Sequence, residues 1–422
     1  MLPSHDATTG RTTGSFASPA GAADSSRRRA LVTLGALGVG LGTPGLASAA
    51  TSDDQFSSEL ASAQNSTDFA RLLRLARVPS LSLAVIERGR TRTQSVGVRR
   101  SGEPASATAD TVYAAASLTK IVASYVILGL VHEKRLDLDA PVHTYLALPD
   151  DDAASRAITA RHLLSHSGGW RNWRFDATQR LTADFTPGSR WSYSGEGFFF
   201  LQRIAEQITG TAFAALARQR VFEPLGMTRS SLAPLPALSA LLASGHDGRG
   251  RPNPTAENDP ASALQQLMSS RGKAMDEARV EDLEAALRTA SPTRAVLPVF
   301  LTINAAASML TTANDFARFL QHLVGSSSRS PVSSAIVADM MKPQVRGNEA
   351  IQWGLGVGLE EVGTSRCAWQ WGDNPGFKNF CWFDPAAGRA MVVFTNGDRG
   401  ARVYERGVRA LTVDDHPGFL WA

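Results

Sequence analysis

Thr111-Val-Tyr-Ala, Ser117-Leu-Thr-Lys120 and Ile121-Val-Ala-Ser-Tyr-Val-Ile-Leu follow one another within a short stretch that decides the fold. It passes from extended-looking residues through a hydroxyl and an amine into an apolar helix. Side chains at i and i+3 share a helix face, so the Lys120 amine reaches the Ser117 hydroxyl. A serine becomes a nucleophile only beside a base, and a lysine that has lost its proton is one. The layout points to acyl transfer through serine.

A second copy of the spacing, Ser270-Arg-Gly-Lys273, contains a glycine and precedes no apolar helix. A mid-helix glycine costs about 1 kcal/mol relative to alanine, so this copy reads as coincidence. The chain has five lysines against 38 arginines. Lysine can shed its proton inside a protein and arginine effectively cannot.

The 422 residues are 43% hydrophobic, enough for a large core. Net charge is +4, falling to +2 once the first 50 residues are set aside. No basic stripe remains for nucleic acid. Residues 1–24 are polar and small and read as disordered or as upstream of the true start. Ser26-Arg-Arg-Arg-Ala-Leu-Val, a glycine-rich apolar run to Gly45 and Ala47-Ser-Ala-Ala50 follow, the layout of an export signal. The paired arginines suggest the twin-arginine route, although Ala30 stands where a phenylalanine is usual. The expectation is an exported protein, periplasmic or secreted, with residues 1–50 as leader and no stable membrane insertion after its removal.

Ser80-Leu-Ser-Leu-Ala-Val-Ile-Glu-Arg and Thr91-Arg-Thr-Gln-Ser-Val-Gly-Val flank a turn at Arg88-Gly89-Arg90, a hairpin pattern. Helical patterns cover 117–133, 160–165, 198–209 and 313–324; strands return at 366–372, 378–384 and 389–396, before a last helix at 401–412. The expected fold is α+β: an antiparallel sheet from both chain ends, about 75–115 and 350–400, with a mostly helical lobe at about 116–340 inserted, all within a 51–422 domain. Ala274–Thr289 carries charge with sparse apolar positions and reads as a surface insertion or a flap.

Further polar landmarks are Trp191-Ser-Tyr193-Ser-Gly195-Glu-Gly and Trp369-Gln370-Trp371-Gly372-Asp373-Asn-Pro-Gly376-Phe. Tyr193 suits a proton shuttle, and Gly372 would let the backbone approach a substrate closely. Together with Leu136-Asp-Leu-Asp-Ala-Pro, His162-Leu-Leu-Ser-His-Ser-Gly-Gly169, Pro224-Leu-Gly-Met227 and Ala306-Ala-Ser-Met-Leu-Thr-Thr-Ala-Asn-Asp315, these residues carry a resemblance. The chain resembles the serine β-lactamase and penicillin-binding-protein-like family, in the branch of class C β-lactamases, D-alanyl-D-alanine carboxypeptidases and β-lactamase-like carboxylesterases. The resemblance spans roughly residues 75–400.

It implies Ser117 as acylated nucleophile, Lys120 as its general base and Tyr193 as the tyrosine of a Y-x-N motif. It places Gln370, Trp371 and Gly372 on the K-T-G strand, and an oxyanion hole at the N–H groups of Ser117 and Asp373. It implies no cofactor and no metal. Gly195 replaces the asparagine of Y-x-N, and Gln370 replaces the cation of the third motif. Both departures favour an esterase acting on neutral esters or amides. The alternatives are a D-amino-acid peptidase or β-lactamase on cell-wall-type substrates, and an inactive relative that binds peptidoglycan or a partner.

His162 and His166 lack the glutamate of H-E-x-x-H and read as parts of a structural turn. Glu196 reads either as an orienter of Tyr193 or as a solvated carboxylate. Cys367 and Cys381, the only cysteines, lie seven residues either side of Asn374. A hairpin symmetric about that residue would oppose them and allow a disulfide; the other reading is two small apolar residues in a packed sheet.

Overall fold

The computed structural model describes residues 66–174, 179–253, 266, 268–290, 303–325, 331–412 and 416–420. The expected leader at 1–50 lies outside them. Among the described residues, no helix is long and apolar enough to cross a membrane.

An eight-stranded antiparallel sheet forms the frame, in the spatial order β2-β1-β10-β9-β8-β7-β6-β5. Its strands are β1 (Ser80–Glu87), β2 (Arg90–Gly97), β5 (Val345–Arg346), β6 (Ile351–Trp353), β7 (Gly358–Val362), β8 (Ser365–Asn374), β9 (Phe377–Asp384) and β10 (Arg389–Thr395). β1 pairs with β10, so both chain ends build one sheet, as the patterning predicts. The remaining strands, β3 (Tyr113–Ala114) and β4 (Leu310–Thr311), form a separate two-stranded ribbon rather than joining the sheet.

Helix α1 (Ser66–Ala76) and helix α10 (Ala401–Thr412) cover one face of the sheet. Phe69, Leu72 and Leu73 meet Val403, Tyr404 and Val408 there, around Leu81, Trp369, Phe380 and Trp382. Residues of the inserted lobe cover the other face, including Leu118, Ile121 and Phe316 against Ala84, Cys381 and Phe394. The lobe holds α2 (Thr119–His132), α3 (Ala160–Leu164), α4 (Gly195–Thr209), α5 (Phe213–Ala217), α6 (Pro236–Ser239), α7 (Val280–Ala290), α8 (Ala313–Leu323) and α9 (Pro331–Met340). Most of α2 is buried, which its near-unbroken apolar run dictates. The Ala274–Thr289 insertion resolves into a 3₁₀ turn at Met275–Glu277 and α7, with Met275, Val280 and Leu283 buried.

The register overturns the disulfide. Asn374 pairs with Phe377, so the β8–β9 turn is centred on Pro375-Gly376 rather than on Asn374. Cys381 consequently opposes Gln370, three residues along the strand from Cys367. An odd offset puts the two thiols on opposite faces of the sheet. Cys367 packs with Trp369 and Cys381 with Phe383, in different cores, and the two are not joined in a disulfide.

Candidate active site

Ser117 sits in a 3₁₀ turn, Ala116–Leu118, that leads directly into α2. Ala116, just before it, has φ of 51°. A left-handed alanine costs roughly 1–2 kcal/mol, so its surroundings must over-determine this turn. They do. The Ala115 N–H donates to the Met309 carbonyl at 2.8 Å, and the Thr119 hydroxyl donates to the Ala116 carbonyl at 2.6 Å. The β3–β4 ribbon fastens the 304–309 loop alongside, through Tyr113 opposite Thr311 and Ala114 opposite Leu310.

That loop supplies what Lys120 needs. The Lys120 amine lies 3.3 Å from Ser117 Oγ and donates to the Ala306 carbonyl at 2.9 Å. Asn304 Oδ1 accepts the N–H groups of Ala306 and Ala307, which sets the peptide of Ala306. Lys120 is fully buried, with its nitrogen 4.7 Å from the Tyr193 ring centre and 5.5 Å from that of Phe198. Burial pushes its pKa down from 10.5 to about 7, and no carboxylate offsets the cost. Ser117 keeps a sliver of exposure, 8%.

Tyr193 completes the cluster. Its hydroxyl is shielded from solvent and makes no well-formed hydrogen bond, yet Ser117 is near enough to act on its acidity. Burial raises its pKa well above the usual tyrosine range. The Ser117 hydroxyl opposes that shift, and the Asp373 charge adds to it. Tyr193 is therefore a proton-bearing phenol at neutral pH.

The third motif is brought to the same place by β8. β7 pairs with β8 only between Ser365 and Trp369, which leaves residues from Gln370 onward without a β7 partner. Trp371 stacks on Tyr193 with ring centres 5.4 Å apart. Gln370 points to the opposite face, as its cross-strand partner Cys381 does, and is wholly buried, with neither amide atom hydrogen-bonded among the described residues. The side chain that meets Tyr193 is thus Trp371, not Gln370. A Cβ on Gly372 would lie 2.5 Å from the Ala115 carbonyl, so this glycine lets β8 close against the Ser117 turn. Asp373 is exposed and paired with Lys378, which also approaches Asp398 at 3.6 Å.

Several features were not legible beforehand. A Cβ on Gly195 would fall 2.2 Å from Trp173 Cζ2, so the indole fills the space of the missing asparagine side chain. Asn172 accepts the N–H groups of Gly195 and Glu196, and Glu196 binds both the backbone N–H and the guanidinium of Arg174. Trp173 is clamped from both sides. Glu196 is a buried clamp on Arg174 rather than an orienter of Tyr193 or a solvated group. His162 caps α3 through a reciprocal pair with Thr159. The signal for Trp173 was faint: a glycine in a motif that usually carries a side chain implies a neighbour using its space.

The Beta-lactamase family model matches residues 67–414. Over 212 residues the chain is 31% identical to penicillin-binding protein 4 of Amycolatopsis lactamdurans, covering 46% of this chain and 54% of that protein. Over 168 residues it is 30% identical to the esterase EstB of Burkholderia gladioli, covering 32% and 42%. The chain spans about half the length of the curated relatives it matches. The solved D-alanine carboxypeptidase of Burkholderia cenocepacia superimposes with a TM-score of 0.64 over 86% of this chain and 99% of that one. Identity there is 16%, a likeness of fold. A match over most of the chain, on the fold and landmarks described above, means that the chain belongs to the Beta-lactamase family.

Proposed function

We propose that this protein is a serine hydrolase that forms an acyl-enzyme on Ser117 and turns over neutral esters. The observation that carries the reading is a fully buried Lys120, 3.3 Å from Ser117 Oγ, with a pKa of about 7 and no carboxylate partner. A base poised near the operating pH is the most effective kind. Neutral Lys120 takes the Ser117 proton while Oγ attacks the ester carbonyl carbon. The resulting oxyanion is stabilised by backbone N–H groups, for which the family resemblance nominates Ser117 and Asp373. Collapse breaks the bond to the alkoxy oxygen, which leaves with a proton from Tyr193, and Lys120 returns a proton to the tyrosine. Lys120 then takes a proton from water as its oxygen attacks the acyl carbonyl carbon; the bond from that carbon to Ser117 Oγ breaks, and Lys120 returns the proton to Oγ as the acid leaves.

Preference for uncharged substrates rests on three residues. Trp371 meets Tyr193 with an aromatic face, Trp173 occupies the place of an amide side chain, and Lys378 is already neutralised by Asp373. A substrate carboxylate would be desolvated here without a partner. The named relatives include both an esterase and a penicillin-binding protein, so a D-amino-acid peptidase is the competing reading. A fluorophosphonate probe should label Ser117, and aryl esters should be hydrolysed faster than a chromogenic cephalosporin or D-alanyl peptides. Efficient cephalosporin turnover by the unaltered protein overturns the substrate preference. Export through the 1–50 leader belongs to the same proposal; cell fractionation with N-terminal sequencing of the product tests it.

A further inference from the structure

His166 holds the Ser192–Ser194 segment, with Tyr193 at its centre, through three contacts. Its carbonyl accepts the N–H of Ser192 at 2.7 Å, and its ring Nδ1 accepts the N–H of Ser194 at 3.1 Å. One residue thereby holds the N–H groups of the residues on either side of Tyr193. Its imidazole also packs on the phenol, with ring centres 4.2 Å apart and planes 34° from parallel. His166 does this at φ of 56°, in the left-handed region that few non-glycine residues enter, histidine being among the more frequent exceptions with asparagine and aspartate. It is 1% exposed.

The ring's chemistry fits this task. Because Nδ1 accepts a hydrogen bond, the ring proton resides on Nε2. Nε2 has no hydrogen-bond partner among the described residues, and the imidazole packs among Phe198, Trp191 and Trp353, whose ring centres lie 5.3, 6.3 and 5.2 Å from its own. Protonating Nδ1 would set a donor against the Ser194 N–H. Burial and the nearby Lys120 charge both oppose that protonation. Lys120 on α2 and the Tyr193 phenol are the titratable groups that face the ring; Trp191, Phe198 and Trp353 carry no charge. A histidine biased in this way towards its neutral form is a steady acceptor and a flat surface.

We infer that His166 is the positioning residue for Tyr193, gripping its two flanking amides and one face of its ring so that the phenol stays aimed at Ser117. This rests on the role given to Tyr193 under Proposed function. Both contributions can be separated by substitution. His166→Asn keeps an acceptor at the place of Nδ1 and tolerates the left-handed backbone, but removes the ring. His166→Phe keeps a ring and removes the acceptor.

The test combines ester kinetics with fluorine NMR of protein carrying 3-fluorotyrosine at its five tyrosines, the Tyr193 line being assigned by its loss in Tyr193→Phe. The native protein should give one sharp Tyr193 line. In His166→Phe that line should broaden or split, and kcat should fall by at least about tenfold with little change in KM, since small misplacements cost up to about 10²-fold. In His166→Asn the line should stay single and most of kcat should remain. The rising limb of the pH–rate profile should stay where Lys120 puts it in both variants. The inference is overturned if His166→Phe keeps native kcat and a single line. It is equally overturned if the asparagine variant is as impaired as phenylalanine, or if the limb moves with His166. If His166→Phe does not fold, the asparagine variant decides: native-like line and rate support the inference, loss of both rejects it. Should the native protein hydrolyse no ester and resist fluorophosphonate, the reading of the site fails, and the fluorine line still decides the positioning role.

Discussion

Ser117–Lys120 and Ser270–Lys273 have the same spacing and opposite surroundings. Lys120 is fully buried, faces two aromatic rings and a carbonyl, and its pKa falls to about 7. Lys273 is part-exposed and joined to Asp282, and Ser270 beside it is exposed. An opposite charge keeps a lysine protonated, whereas burial without one strips the proton away. The spacing brings a serine and a lysine together; only the environment of the first suits its lysine to the role of base.

The strongest way to break this contrast is at the two serines. Ser117→Ala should reduce ester turnover by at least about 10³-fold while the protein still folds, the scale seen when a nucleophile is deleted. Ser270→Ala should retain native turnover. Comparable losses in both would dissolve the distinction.

At the lysines, Lys120→Arg should be inactive, because a guanidinium keeps its proton. Lys120→Met should lose about 10²–10⁴-fold in rate, the usual worth of a general base. It should also reveal the cost of the buried amine. Folding lowers the lysine pKa, so between the folded value of about 7 and the unfolded 10.5 the unfolded chain binds more protons. Native stability therefore rises with pH across that window, and the penalty is fully present below about 7. Denaturant melts should show the methionine variant gaining relative to the native protein as pH falls towards 7, with that advantage fading as pH approaches 10.5.

The same protonation should appear in kinetics. The ratio kcat/KM should climb with pH through about 7 and then level off. A profile flat from pH 5 to 9 would show that the base is not Lys120.

A subtler probe sharpens the contrast by loosening the dry environment of the first motif. In Gly372→Ala the new methyl would lie 2.5 Å from the Ala115 carbonyl, so β8 or the Ser117 turn must shift. Overpacking of this kind costs roughly 1–3 kcal/mol, readable as a lower melting temperature, and activity should fall as the turn moves. Smallest of all, Lys273→Met removes a surface-type ion pair worth about 0–1 kcal/mol and should leave turnover unchanged.

The architecture was largely readable from patterning. Strands at Ser80–Glu87 and Arg389–Thr395, the caps at Thr159 and Gly210, and the last helix at Ala401–Thr412 all follow local periodicity and turn chemistry. Ser117 and Lys120 meet because their spacing is local; Tyr193 is marked out by its own motif, and the fold brings it to them. What escaped the sequence depends on register and on non-local space. A turn centred on Pro375-Gly376 instead of Asn374 separates the cysteines. The alternation along β8 sends Gln370 away from Tyr193 and Trp371 towards it. Trp173 over Gly195 and His166 under Tyr193 are contacts between segments more than twenty residues apart, and hydropathy carries no trace of them.

The carbonyl that receives the Lys120 amine belongs to Ala306, 186 residues further along the chain. Nothing local holds two residues so far apart together, so this contact exists only where the intervening chain has folded. Until the β3–β4 ribbon zips, Lys120 is solvated and keeps its proton at neutral pH. Its serine neighbour is then an ordinary alcohol. Chemical competence is thus tied to completed topology: an unfinished chain carries the whole motif, yet has no nucleophile with which to attack anything around it.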